Sequence, residues 1–402
     1  MPLSRDEKNN LAHLMRRAGF GLSPDDWQEY SRIGIEATTE SLLHPERAPD
    51  ALSQLQTQLG GNLIDFDNLD NTRSWWLYRM AFTKRPLEEK MTLFWHNHFA
   101  TANFKVNNAR WMWQQNETFR RHALGNFRTM LQAVSRDGAM LVWLDGAESH
   151  NDAPNENYGR ELLELFTMGQ GNGYTEADIK GAARSFTGWR YDPPTNRWRF
   201  DPFRHDDNWK TFLGQSGNFH GDDILDIIAR RPETARFLAS KLFRFFVHDD
   251  PSDADLAPLE KAYFDSGFEV RAMLAAIFNA PSFYSEKARY ALIKSPVDFV
   301  VMTLRTLEVK ILTVNKIDQT IAEMGQELFN PPSVKGWDGG RAWINSRTLL
   351  SRVNFATDLA NRANERGTLD DLVKKHLDAT VPDYAERWST CLLYTSPSPR
   401  DS

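Results

Sequence analysis

Apolar residues recur at three- and four-residue spacing along most of this chain, and that period belongs to helices. Leu11, Leu14, Met15 and Ala18 make one face of a first segment. Ser23-Pro24-Asp25-Asp26 then reads as an N-cap, a proline at the first helical position and acid in the first turn. Pro86 opens another helix that continues through Met91, Phe94 and Trp95. Thr175-Glu176-Ala177-Asp178 reads as a capping box, with Asp for the usual Glu, opening a helix that ends near Gly188. The same period runs through 111–122, 127–134, 232–247, 269–279, 296–307, 317–329 and 346–361. The expected fold is all-α: one large multi-helix domain over residues 1–388, with room for two lobes meeting near 190–220.

Two segments break the period. Residues 190–221 are rich in Pro, Asp, Asn, Gly and aromatics, and Trp198–Phe203 with Lys210–Leu213 suit a short β-hairpin. Residues 330–341 carry Pro331-Pro332 and Gly336-Trp337-Asp338-Gly339-Gly340. Long ordered loops in a helical domain often hold function.

The net charge of −6, with both signs interspersed, argues against a nucleic-acid partner. No apolar run reaches the roughly 18–20 residues of a transmembrane helix. Met1–Asn10 lacks an apolar signal segment, so the expectation is a cytoplasmic protein, or an exported, periplasmic one if the start is incomplete. Residues 389–402 are expected to be a foreign tail, because Cys391–Ser402 resembles translated sequencing-adapter read-through of the kind found in assembled environmental sequences. The single cysteine lies inside that tail, which leaves no thiol chemistry and no cysteine-ligated metal.

The segment 154–169 concentrates polar chemistry. Pro154 suits a first turn and Gly169 a left-handed C-cap. Tyr158, Leu162, Leu165 and Phe166 form an apolar stripe, with Asn157, Glu161 and Glu164 along its edge. Glu156, Arg160 and Glu164 share another side and suit an ion-pair ladder. Glu161 borders the buried stripe, where a carboxylate needs a partner, a metal or a raised pKa. It is the candidate acid–base or ligand group, with Arg160 as anion holder and Asn155 and Asn157 as substrate contacts.

His96 and His98 lie about 200° apart on a helix, so a shared metal requires that helix to end near Asn97; otherwise both are core residues. His205-Asp206-Asp207 and His220-Gly221-Asp222-Asp223 set imidazoles beside carboxylates, which can orient and charge them. His205 and His220 are the candidate partners of Glu161, although the aspartates also suit turns and helix caps. Trp337, Asp338 and Arg341 suit a carbohydrate or peptide cleft, or a buried tryptophan plug. A divalent metal is the candidate cofactor. No Gly-x-Ser-x-Gly elbow, P-loop, dinucleotide fingerprint or His-Glu-x-x-His is present.

Several blocks together are specific: Leu14–Gly21, Trp95-His96-Asn97-His98-Phe99, Asn155–Gly169, Tyr174-Thr175-Glu176, Phe186-Thr187-Gly188-Trp189 and Gly336-Trp337-Asp338-Gly339. On these the chain resembles the DUF-1800 family of uncharacterised bacterial proteins, roughly from Leu11 to Ala356. The resemblance implies a mostly helical protein, often exported, whose gene often neighbours that of a sulfatase-like family, DUF-1501. It implies no catalytic residues. Two functions are expected: a hydrolytic or metal-assisted enzyme with a Glu/His polar cleft, or a non-catalytic binding or assembly protein of the cell envelope acting with the sulfatase-like partner.

Overall fold

A computed structural model describes residues 3–50, 64–192, 195, 197–307 and 317–365. The segment expected to be a foreign tail, 389–402, lies outside them. The fold is mainly helical, with two small two-stranded sheets. In chain order the helices that matter are α1 (Arg5–Ala18), α2 (Pro24–Leu43), α3 (Leu69–Phe82), α4 (Pro86–His98), α5 (Ala109–Arg121), α6 (Phe127–Ser135), α7 (Glu156–Glu161) and α8 (Glu176–Ser185). After the sheets come α9 (Gly221–Ala229), α10 (Pro232–Phe246), α11 (Asp253–Asp265), α12 (Val270–Phe278), α13 (Pro296–Thr306), α14 (Ile317–Glu323) and α15 (Ser346–Glu365). No helix among the described residues is long and apolar enough to cross a membrane.

Local chemistry sets the helix starts. Ser4, Ser23, Thr175 and Ser252 each accept from the backbone three residues on, and the acid at that position reaches back to the cap. These boxes satisfy amides that a helix start otherwise leaves bare. One buried apolar cluster runs from Leu11 to Leu359.

Helix α4 crosses that cluster and carries a charge into it. Glu89 is fully buried and accepts from Arg79 Nε at 2.8 Å, Arg120 Nε at 2.7 Å and Trp76 Nε1 at 3.0 Å. Against the cost of burial, these two guanidiniums hold its carboxyl down, to about 2. Helices α3, α4 and α5 are thereby pinned at one carboxylate.

Some expectations on the elements need correction. Helix α3 has no sequence period because it is buried all round, with Trp75, Trp76, Leu77, Tyr78, Met80 and Ala81 all covered. The helix expected over 317–329 stops at Glu323, and Gly325 then turns at φ 101°. Pro154 precedes the N-cap Asn155 instead of sitting in the first turn, whereas Gly169 does adopt a left-handed φ of 85°.

The expected pairing of Trp198–Phe203 with Lys210–Leu213 does not form. Strand β1 (Trp189–Asp192) pairs with β2 (Arg197–Phe200), and β3 (Lys210–Phe212) pairs with β4 (Gln215–Gly217), both antiparallel. Leu213 and Gly214 supply the β3–β4 turn with φ of 47° and 79°, the signs a tight mirror-image turn needs. Leucine there hid the turn, and the Leu213 amide is held by Asp178 Oδ1 at 2.6 Å.

Helix α7 does not continue as α. From Leu162 to Thr167 the backbone widens into a π segment, where Met168 N donates to Leu163 O at 2.9 Å, five residues back. Such widened turns cluster at functional sites and each accommodates an extra residue.

Candidate functional site

Helices α7 and α8 run antiparallel in close contact. A Cβ on Gly159 would lie 3.1 Å from Ile179 O, so only glycine lets the backbones approach this closely. Beyond α8, Phe186 and Thr187 lead into Gly188, whose φ is 79° and whose Cβ would meet Asp201 O at 2.5 Å. This tight junction lays the 201–207 loop across the end of α8.

His205 is the product of that packing. Its Nδ1 donates to Thr187 O at 2.8 Å, and Thr187 Oγ1 lies 3.2 Å from the same nitrogen. The Thr187 hydroxyl also accepts from Asp206 N at 2.8 Å and donates to Arg184 O at 2.6 Å. With the proton fixed on Nδ1, Nε2 presents a lone pair. His205 is only 4% exposed, and its Nε2 is buried with no hydrogen-bond partner. Burial, first, keeps this imidazole below its ordinary pKa.

Two further donors stand beside it. The ring of His220, the N-cap of α9, stacks on His205 with centroids 4.3 Å apart and 12° between planes. One ligand atom each from His205, Asp207 and His220 lie within 4.8 Å of one another, with Asp207 and His220 open to solvent. Zinc-like bonds of about 2.0–2.2 Å put donor atoms roughly 3.3 Å apart in a tetrahedral site, and because the stacked rings aim their lone pairs along near-parallel planes, His220 would have to turn its ring to join His205 on one ion.

The neighbouring acid is spoken for. Arg184 holds Asp206 at 2.6 and 3.3 Å and keeps its carboxyl well below the usual carboxylate range. Buried Lys210 donates to the Asp206 carbonyl and to Asn218 Oδ1. These contacts fix the loop backbone and leave Asp207 as the exposed carboxylate.

The structure does not bring Glu161 to these histidines. Arg160, its neighbour, binds Glu176 at the start of α8, whereas His205 binds Thr187 just past its end. A ten-residue helix, about 15 Å long, lies between those two points. Glu161 is half-buried and its pKa is raised, first by burial and then by Glu164. Arg160 forms the expected ion pair with Glu156 at 3.6 Å, but its closer partner lies outside the ladder: Glu176 takes a two-pronged bond with both contacts at 2.8 Å. Asn155 caps α7 and donates to Asp145 O at 2.8 Å and Leu144 O at 3.1 Å, while Asn157 donates to Leu144 O at 3.4 Å.

The other candidates sit in separate surroundings. His96 Nε2 accepts from Phe329 N at 3.1 Å, and burial lowers its pKa to about 3. His98 Nε2 donates to Phe166 O at 2.9 Å inside the π segment, and burial holds it well below its ordinary value. The helix runs through His98 instead of ending near Asn97, so the two rings point to opposite sides of it. Trp337 is buried against His96, its amide held by Asn97 Oδ1 at 2.7 Å, whereas Asp338 and Arg341 are exposed.

Sequence reasoning did not single out Thr187, and it named Asp207 only as one of two carboxylates beside His205. The signal was present in two places, the Phe186-Thr187-Gly188-Trp189 block and the His205-Asp206-Asp207 run, but only the fold joins them.

A family model described as a protein of unknown function (DUF1800) matches residues 13–400. No curated protein and no solved structure matches the chain.

Proposed function

The chain belongs to the DUF1800 family, and from that premise we propose that this member is a metal-assisted hydrolase whose divalent ion is held by His205, Asp207 and His220. One observation carries the reading: a buried imidazole nitrogen with no partner, in a ring locked through the opposite nitrogen and clustered with ligand atoms of Asp207 and His220 within 4.8 Å. Metal-ligating histidines are typically fixed this way, with the far N–H on a carbonyl or carboxylate. Two imidazoles and a carboxylate suit zinc and leave a fourth position for water. An ion held by His205, Asp207 and His220 would supply an acidified water as nucleophile for ester hydrolysis of an acyl or phosphoryl substrate, water adding its oxygen to the acyl or phosphoryl centre and its proton to the departing alcohol.

The test is metal stoichiometry with turnover. Purified protein dialysed against zinc should hold about one ion per chain by elemental analysis and hydrolyse nitrophenyl acetate or bis-nitrophenyl phosphate. His205→Ala and Asp207→Asn should lose both. Protein that binds neither zinc, cobalt nor manganese at micromolar concentration overturns the reading.

A second reading has its own support. Helix α15 presents Leu349, Leu350 and Val353 to solvent at 51%, 60% and 44% exposure. Such a patch suits a protein contact, and a sulfatase-like DUF-1501 protein at the cell envelope would be its partner. Co-purification with that protein, lost on Leu350→Asp, tests it.

A further inference from the structure

Phe203 and Trp209 stand two residues to either side of the His205-Asp206-Asp207 run. Both rings face solvent, 92% and 70% exposed. Trp209 is the one exposed tryptophan among the described residues, in a protein that covers nearly all its other large rings. Leaving a large side chain in water forgoes the gain of burying it. The fold therefore gains little from these rings as they stand.

The loop that carries them is held firmly. Asp201 Oδ1 accepts from Phe203 N at 3.2 Å. Asp206 Oδ1 accepts from Asn208 at both its amide and its side chain, each at 2.9 Å, while Arg184 grips the same carboxylate. Lys210, next to Trp209, is anchored inside. Rings on a fixed loop lose little freedom when a ligand covers them.

Charge and polarity around the rings select the ligand. Arg204, Asp207 and Asn208 are exposed between them. A bilayer covering both rings would bury the Arg204 and Asp207 charges in an apolar phase at high cost, and the chain's net charge of −6 disfavours a nucleic-acid backbone. A sugar ring fits the mixture. Its C–H face carries slight positive charge and settles on the negative face of an aromatic ring, while its hydroxyl rim can donate to Asp207 and bond Asn208.

We propose that Phe203 and Trp209 form a platform for a polysaccharide chain, which the metal site described above then meets as substrate. The reaction rests on the metal reading; the binding does not. Affinity electrophoresis in gels containing soluble acetylated xylan, glucomannan or mixed-linkage β-glucan tests it. Wild-type protein should be retarded by at least one, and Trp209→Ala and Phe203→Ala should reduce that retardation at least tenfold. Trp209→Phe should retain most of it. All three variants should keep the parent's thermal unfolding and its zinc affinity within about twofold. His205→Ala should lose zinc yet remain retarded, which separates failure of the metal reading from failure of the platform. Equal migration of wild type with and without all three polysaccharides overturns the proposal, as does undiminished retardation of the alanine variants. Self-association of the wild type that Trp209→Ala abolishes would instead make the rings a protein contact and overturn it too.

Discussion

Thr187 grips His205 and the residue after it at once: its carbonyl accepts from the His205 ring at 2.8 Å, and its hydroxyl accepts from the Asp206 amide at 2.8 Å. One residue thus sets both, its carbonyl the ring's tautomer and its hydroxyl the path of the loop toward Asp207. Thr187→Val keeps the shape and removes the hydroxyl. Zinc affinity measured by calorimetry should fall about 10–100-fold, the range for losing an outer-shell partner. Thr187→Ser should stay within about threefold of the parent. Equal affinity in the valine variant would show that the hydroxyl does not position the site.

Glu161 offers a contrasting case. Its pKa is raised by burial and by Glu164, and α8 separates it from His205. Glu161→Gln keeps the volume and removes the charge. Urea unfolding should give a stability within about 0.5 kcal/mol of the parent or above it, with zinc affinity and turnover unchanged. A hundredfold loss of turnover with zinc retained would instead make Glu161 the acid–base group.

Three buried histidines govern the acid limb. Burial lowers the pKa of His13 and His96 to about 3 each and holds His98 well below its usual value. The folded protein keeps them neutral, while the unfolded chain protonates them below about 6.5. Unfolding then takes up protons, so stability falls as pH drops from about 6.5 toward 3. The ceiling for three such groups is about 4 kcal/mol per pH unit. His96→Gln should shallow that slope by about one proton between pH 6 and 4.5, read from urea midpoints. Parallel slopes would refute the assignment.

Gly181 sits where α8 meets the second hairpin. A Cβ there would lie 2.4 Å from Thr211 O, a backbone atom that cannot swing aside. Gly181→Ala should destabilise by about 1–3 kcal/mol in chemical denaturation. Because Thr187 lies just past the end of α8, zinc affinity should weaken as well. Wild-type stability would mean that the hairpin yields easily.

The helical architecture was legible because amphipathic segments such as α1 bury one face and leave the period in the sequence. Helix α3 was not, since burial on every side erases the contrast between faces. A short hairpin within 190–221 was legible too, but its pairing was not, because Leu213 occupies a positive-φ position that sequence rules reserve for Gly or Asn. His205 and His220 stood out as imidazoles beside carboxylates, but local sequence pointed them toward Glu161. Their actual neighbours depend on Gly188 bringing residues 187 and 205 together, a long-range contact without a local pattern.

The wide turn at Leu162–Thr167 bears on how chain length is tolerated here. A π turn holds one residue more than an α turn, so deleting a single residue between Glu161 and Met168 would let the helix close with ordinary spacing. The same deletion would rotate the Phe166 carbonyl away from His98, the ring that now donates to it. Single-residue gaps at this point and replacements of His98 should therefore travel together between homologous chains.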